Sequence, residues 1–426
     1  MSHPAPDDCE APVWDVIVIG GGPAGSTAAT ILAKNGRTVL VLEKSRFPRF
    51  HIGESLLPYN RPLFEELGVW EKIRSAGFME KRGAQFIMGN GSARTRVDFS
   101  SGQFTEFPAS FQVERSKFDK ILLDHSRECG AVVQEEALVT GYRRSGSGVE
   151  ITWEAPDGTV HHVHARFLMD ASGLANFTSN RRGLRQFYPH HRKMAIFGHF
   201  QDVEMPNGPQ EGDILIVRRA DSWFWMIPLS KDKTSVGFVL DLKDFRNRGA
   251  HPDDLFFQAV AATPEVSQRF AHAISQGKLT AATDFSYRNR RLIAPCLVRI
   301  GDASGFIDPI FSSGVLLAMT SARQGAEVVH EALASGKQLT AGMKVFEKQS
   351  RRQIGIYWEF IEKFYQDRFS QLFLQPWNKF GLVCAVQSVL AGRMQFSFAI
   401  RWRLRLFFLI ARLNQYFPLA PRIRIQ

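Results

Sequence analysis

The sequence predicts an α/β protein: a parallel-sheet domain interrupted by a second, antiparallel sheet and followed by a helical C-terminal region. Three observations carry this. A nearly continuous apolar run at 13–19 ends in glycines and passes into a helical pattern. Shorter alternating runs fill 84–107, 147–165 and 194–241, and long helical patterns occupy roughly 314–335 and 344–372.

Taken in order, Val13–Ile19 has the composition of a strand buried on both faces of a parallel sheet. A helix-compatible run from Pro23 to Lys34 follows and stops at Asn35-Gly36. A second apolar strand, Thr38 to Leu42, ends at Glu43, which completes a βαβ start. Residues 59–68 and 115–128 read as helices. Phe167–Asp170 and Cys296–Gly301 look like short strands entering glycine turns. There is no internal repeat and no low-complexity linker. Because the two β patterns interleave, the parallel-sheet domain is expected to be discontinuous.

A chain of 426 residues fits two or three packed units. With 44% hydrophobic and 22% charged residues, disorder and disulfide-knot architectures are excluded. Phenylalanine is the outlier at 35 residues, which points to aromatic-lined interior space. Four scattered cysteines (Cys9, Cys129, Cys296, Cys384) form no CxxC, so neither a disulfide framework nor a metal site is expected. The polar, proline-rich start does not resemble a signal peptide, and no apolar stretch is long enough to span a membrane. The cytosol is the expected compartment. Of the net charge of +11, seven arginines in 391–426 supply a share that leaves +4 for the other 390 residues. The basicity belongs to the tail, which argues against a nucleic-acid-reading face.

Gly20-Gly21-Gly22-Pro23-Ala24-Gly25 matches GxGxxG. The string alone is a weak signal, but a buried strand precedes it, a helix follows, and Glu43 lies 18 residues beyond Gly25. Gly20 permits the tight turn, Gly22 lets backbone amides approach a pyrophosphate, and Gly25 packs helix against strand. The helix start at Pro23 and Ala24 supplies positive potential for the phosphates. Glu43 is placed to accept from a ribose hydroxyl, with Lys44 beside it. Only one such fingerprint occurs, where two classical sites for a flavin and a nicotinamide would usually show two.

Late in the chain, Gly301-Asp302-Ala303 follows a strand, and a helix starting there would aim its amides at a bound flavin, with Asp302 on its ribityl chain or phosphate. This pairing resembles the FAD-binding fold of flavoprotein monooxygenases, the GR2 or para-hydroxybenzoate-hydroxylase-like type. In that resemblance Arg115 matches the arginine that approaches the flavin, and Asp170-Ala-Ser-Gly173 matches a structural turn. It implies an FAD-binding domain from 1–82, 108–185 and 286–350. A substrate-side β-sheet domain follows from 83–107 and 186–285, and a helical region with a basic amphipathic tail from 351–426.

Trp223-Phe224-Trp225-Met226-Ile227-Pro228 is the most informative hexamer. On a strand, Trp223, Trp225 and Ile227 share one face while Phe224 and Met226 take the other, and Pro228 is expected to end the ladder. Read alone, it is a well-packed core strand or an indole wall that keeps a flavin from touching a substrate. The string matches the WxWxIP signature of flavin-dependent halogenases. Phe306-Ile-Asp-Pro309-Ile-Phe-Ser312-Ser313-Gly314 resembles that family's FxxPxxSxG signature, and Phe50-His51-Ile52-Gly53-Glu54-Ser55-Leu56 its loop after the second strand. The resemblance covers roughly 13–350 and is nearest the phenol- and pyrrole-type branch.

In that family FADH2, delivered by a separate flavin reductase, reacts with oxygen to a C4a-hydroperoxide, and halide converts this to hypohalous acid. The acid then travels to a lysine beside an aromatic substrate. From its neighbours Glu80 and Arg82, Lys81 reads as a surface lysine; the register of the resemblance makes it the catalytic one. A lysine suits the task because burial lowers its pKa. Pro309 would close on the flavin, and Ser313 and Gly314 would offer backbone amides to chloride or bromide. Phe311 stands where tryptophan halogenases carry a glutamate, which argues for a phenol or pyrrole, free or on an acyl or peptidyl carrier protein.

In the tail, Phe398, Trp402, Leu406, Leu409 and Leu413 recur at helical spacing, with Arg401, Arg405 and Arg412 on another face. A lid over the substrate chamber, a docking face for an acidic carrier protein and a peripheral membrane contact all fit that pattern. A geranylgeranyl-reductase-type enzyme acting on a prenyl lipid and an aromatic hydroxylase share the fold. A flavin-binding scaffold without turnover is the non-enzymatic alternative. Both tryptophans and Lys81 speak for the halogenase.

Overall fold

The computed structural model describes residues 13–188, 191–283, 286–375, 379–414 and 416. Cys9, Arg422 and Arg424 lie outside them. In the first large sheet, Val13–Ile19 runs parallel to Val160–Asp170 on one side and Val39–Leu42 on the other. Leu297–Arg299 and Val132–Gln134 extend the parallel array. Val16, Ile17 and Val18 are fully buried, as a strand covered on both faces requires. The helices Pro23–Lys34 and Gly314–Ser335 pack one face through Ala28, Leu32, Ala322 and Val329. On the other, Val139, Val149 and Ile151 of an antiparallel layer meet Ile17 and Leu168.

Phe167–Asp170 is not a separate short strand. It is the end of the eleven-residue strand Val160–Asp170, whose first half pairs antiparallel with Gly148–Glu154 and whose second half joins the parallel sheet.

The second sheet runs through Lys193–Gln201, Lys233–Asp241, Trp223–Ser230, Ile214–Arg218, Gly83–Met88 and Arg94–Asp98. It is not wholly antiparallel, because Gly83–Met88 lies parallel to Ile214–Arg218. These strands are distant in sequence, so no hairpin dictates their direction. Trp223, Trp225 and Ile227 face one core, and Phe224 and Met226 the other. Pro228 does not end the strand, which runs to Ser230 with a register shift just past the proline.

The helix expected over 344–372 divides into Ala341–Phe364 and Asp367–Leu374, with Tyr365 at the break. Gly301–Ala303 forms a single 3-10 turn rather than a helix start, and the long helix begins only at Gly314. The C-terminal helices pack over the tryptophan face of the second sheet. Phe311, Phe360, Phe364, Phe369, Phe373 and Phe407 gather there, which is where much of the phenylalanine surplus goes. The last helix, Phe398–Leu413, buries Ile400, Leu404, Phe407 and Ala411. The stripe expected from sequence is wrong: Phe398 is 81% exposed and Leu409 52%. Among the described residues no helix is long and apolar enough to cross a membrane.

Candidate active site

A cavity of about 520 Å³ opens between the two sheets. Gly20, Gly22, Pro23 and Ala24 form one wall. Gly20 has φ +97°, and a Cβ there would stand 2.6 Å from the Ala171 carbonyl oxygen. A Cβ on Gly25 would fall 1.8 Å from the Gly20 carbonyl oxygen, so helix and turn touch through bare backbone. Gly25 therefore acts by packing and does not line the cavity. Gly22 lines the cavity, and the neighbour an added Cβ would meet there is Nη2 of Arg49, at 3.4 Å.

Glu43 and Lys44 line the same cavity. The Glu43 carboxylate accepts from the Gly21 amide at 2.7 Å and the Ser45 amide at 2.9 Å, which fixes it at the end of its strand. Arg49 was not singled out by sequence. Its Nη1 is buried, lies 3.3 Å from the Asp119 carboxylate and has no hydrogen-bond acceptor. The Arg49 guanidinium thus keeps Nη1 on the Asp119 side and brings Nη2 beside Gly22, a cation next to a glycine in the cavity wall, which fits the pyrophosphate of a dinucleotide.

Arg115 lines the cavity as expected, held bidentate by Asp119 at 2.6 and 2.9 Å while donating to the Ile52 carbonyl at 2.7 Å. Asp302 is also in the wall, and burial lifts its carboxyl to about 7, opposed by Arg115. Ala303 is buried outside the lining; its carbonyl accepts from Asn289 at 2.7 Å. Pro309 and Gly314 face the cavity, Gly314 as the first residue of the long helix. Ser313 is buried and outside the lining, and Ser312 takes its place there.

Trp223 and Trp225 stand in the opposite wall, with ring centroids 5.9 Å apart. The Trp223 indole donates to the Tyr365 hydroxyl at 2.7 Å, which donates to Asp308 at 2.7 Å. Burial lifts the Asp308 carboxyl to about 6, with the Tyr365 hydrogen bond opposing. Trp225 donates to Ser235 at 3.3 Å, and its ring covers Gly237, where a Cβ would come within 2.1 Å of it.

Lys81 is not a surface lysine: it is 1% exposed. The strand Met79–Lys81 pairs with Ser110–Gln112, and Gly212 lets that strand approach, since a Cβ there would meet the Glu80 carbonyl oxygen at 1.8 Å. The ammonium nitrogen donates to Ser55 Oγ at 2.8 Å and to the Leu56 carbonyl at 2.9 Å. Neither partner is charged. Burial lowers the amine to about 7, opposed by Asp213, which is itself paired with Arg96 at 2.7 Å.

Residues 13–336 match the FAD binding domain family. The chain is 31% identical over 375 residues to 1H-pyrrole-2-carbonyl-[peptidyl-carrier protein] chlorinase of Pseudomonas fluorescens, covering 83% of this chain and 84% of the relative. It is 32% identical to tryptophan 2-halogenase of Chondromyces crocatus, over 78% of this chain and 64% of that protein. Among solved structures, the flavin-dependent brominase Bmp2 superposes with a TM-score of 0.85 at 29% identity, over 94% of this chain and 100% of that one. The chain belongs to the flavin-dependent halogenases. It is thus an oxidoreductase with an FAD site.

Against that identity, the departures and omissions in this halogenase become specific. Phe311, which the resemblance in sequence sets against a glutamate of tryptophan halogenases, is buried against Phe86, Phe360 and Phe364 and so belongs to an apolar cluster. Sequence reading missed Arg49, Ser55, Asp308 and Tyr365. It also missed Glu54, which is 1% exposed and holds His199 at 2.8 Å across the cavity wall. The resemblance of loop 50–56 to the family loop was the signal available for Glu54 and Ser55, and it singled out no residue within the loop.

Proposed function

We propose that this halogenase acts on an electron-rich aromatic ring, a phenol or a pyrrole, free or tethered to a carrier protein, and that Lys81 presents the halogen to it. The observation that carries the proposal is the amine itself, sealed from solvent, hydrogen-bonded to a hydroxyl and a carbonyl, and lowered to about 7. An amine in that state is nucleophilic near neutral pH, which a solvated lysine is not.

The flavin, when bound, supplies the oxidising chemistry that turns chloride or bromide into hypohalous acid. The residues around it have separable tasks. Gly20, Gly22 and the helix start at Pro23 leave space and amides for the pyrophosphate, with Arg49 neutralising it. Glu43 and Lys44 face the ribose side, and Arg115 and Asp302 the flavin side. The first amides of the helix Gly314–Ser335, beside Pro309, would offer a halide a desolvated anion site. Trp223 and Trp225 wall the flavin off from the aromatic substrate, so that only a small oxidant crosses. Reduced flavin comes from a separate reductase, since the chain carries one dinucleotide loop.

The Pseudomonas fluorescens relative is named for a pyrrole on a peptidyl carrier protein and the Chondromyces relative for tryptophan. The apolar setting of Phe311 supports the former chemistry, because a pyrrole or phenol activates its own ring and needs no carboxylate beside it. The test supplies FAD, a flavin reductase, NADH, oxygen and either chloride or bromide to wild type and Lys81→Ala. Phenols, pyrroles (free and as carrier-protein thioesters) and indoles are offered. The expected result is a halogen-for-hydrogen mass shift on a phenol or pyrrole that needs halide and disappears in Lys81→Ala. Oxygen insertion without halide would overturn the proposal.

A further inference from the structure

The cavity and Lys81 do not share a wall. Lys81 is absent from the cavity lining, whereas Ser55 stands in it. Ser55 Oγ is 2.8 Å from the Lys81 amine, so this hydroxyl has the flavin chamber on one side and the amine on the other. Its position is built, not incidental. The strand Ser110–Gln112 holds both partners: Lys81 pairs with Ser110, and Ser55 bridges to Gln112. The neighbouring backbone is tied on both sides of Ser55, by the Val113 amide to the Glu54 carbonyl at 2.7 Å and the Leu56 amide to the Phe111 carbonyl at 3.0 Å. Ser55 is 5% exposed and Lys81 1%.

The two contacts of the amine differ in what they can do. The Leu56 carbonyl can only accept, so it holds one N–H whatever happens at the nitrogen. A serine hydroxyl both accepts and donates. It can take a hydrogen bond from the amine and at the same moment donate its own proton to a group in the chamber.

We infer that Ser55 is the positioning and proton-passing residue through which Lys81 takes halogen from the flavin chamber. The inference rests on the role proposed above for Lys81. In the step, the lone pair of the neutral amine attacks the halogen of hypohalous acid. The N–halogen bond forms as the halogen–oxygen bond breaks. One N–H proton passes to Ser55 Oγ, and the serine proton passes to the departing hydroxide, which leaves as water. The serine ends as it began, and the hypohalous acid is the only reagent consumed.

The test needs no knowledge of the aromatic substrate. Wild type, Ser55→Ala, Ser55→Thr and Lys81→Ala are supplied with FAD, a flavin reductase, NADH, oxygen and chloride, with no aromatic acceptor. Chlorine on the protein is read by intact mass and located by peptide mapping. Hypochlorous acid escaping to solvent is trapped with monochlorodimedone, and FAD affinity is titrated for each variant. The expected result is one chlorine on Lys81 in wild type. In Ser55→Ala, chlorine on Lys81 per FADH2 consumed falls by about a hundredfold, the range for loss of a positioned proton-transfer group. Escaping hypochlorous acid rises to match, and Ser55→Thr restores chlorination. A side chain with only a packing role would not be rescued by a hydroxyl or redirect the oxidant to solvent. If Ser55→Ala chlorinates Lys81 as wild type does, the inference is overturned and the role of Lys81 stands. If wild type places no chlorine on Lys81, the role of Lys81 itself falls, and this inference with it.

Discussion

A buried lysine kept for its chemistry should cost the fold something, and Lys81 allows that cost to be worked out. Its amine is lowered from 10.5 to about 7 in the folded chain, with burial the dominant cause and Asp213 opposing. The unfolded chain keeps the proton up to about 10.5 and the folded chain loses it near 7, so between these values the unfolded state binds more protons. Wild-type stability therefore rises with pH across that window. Below pH 7 the folded protein carries a charged ammonium in a site that prefers it neutral, at a cost of roughly 5 kcal/mol, from about 1.4 kcal/mol per tenfold change. Lys81→Met removes the charge and fits the same linear space, but leaves Ser55 Oγ and the Leu56 carbonyl without their donor, a loss of about 1–3 kcal/mol for each of these two buried polar groups, or about 4 kcal/mol together. The net expectation is that Lys81→Met is more stable than wild type by about 1 kcal/mol at pH 6. That advantage shrinks and reverses as pH approaches 10. Urea denaturation of FAD-saturated wild type and Lys81→Met at pH 6 and pH 9.5 measures it. A Lys81→Met protein that is less stable than wild type by the same margin at both pH values would refute the reasoning, since it would mean that the lysine is a comfortable structural group.

Three other substitutions test the site from different sides. Tyr365→Phe removes the hydroxyl that joins Trp223 to Asp308; it should lower stability by about 1–3 kcal/mol in thermal or urea unfolding and raise the share of FADH2 oxidised without halogenated product. Gly25→Ala places a methyl group 1.8 Å from the Gly20 carbonyl oxygen, so the purified protein should emerge without FAD, read by its visible absorbance. Arg49→Ala leaves the glycine turn intact but removes the cation over Gly22, and should weaken FAD binding by about 10-fold in a fluorescence titration, the loss of one charge-assisted contact.

Legibility in the sequence followed the distance over which each feature is determined. Strand, glycine turn and helix at 13–34 are local, and their burial and close contacts agree with the sequence pattern. The faces of Trp223–Ile227 were readable because strand alternation is local as well. Lys81 was readable only through family register, because its own neighbours Glu80 and Arg82 are ordinary surface charges. Its contact with Ser55 spans 26 positions and exists because a third segment, Ser110–Gln112, pairs with both. No periodicity in 50–56 or 79–81 encodes that. The last helix failed for another reason: nearly all its residues are apolar or arginine, so several stripes compete. Docking against the aromatic cluster selects Ile400, Leu404, Phe407 and Ala411, while Arg403 is fixed by the Phe380 and Ala399 carbonyls.

The same aromatic cluster joins the C-terminal helices to the chemistry. Tyr365, at the break between two of those helices, reaches Trp223 in the cavity wall and Asp308 in the loop that leads to Gly314. Phe311 of that loop packs on Phe360 and Phe364 of the helix Ala341–Phe364. A helical region that only covered a hydrophobic sheet would need apolar contacts alone. Here it also carries a polar chain that fixes one indole of the wall relative to the proposed halide loop, and a misplacement of that indole would change which molecules cross from the flavin side. The alternating strand carries the two indoles and the C-terminal helices hold one of them in place, so the proposed separation of flavin from substrate would rest on a segment beyond residues 13–336, which match the FAD binding domain family.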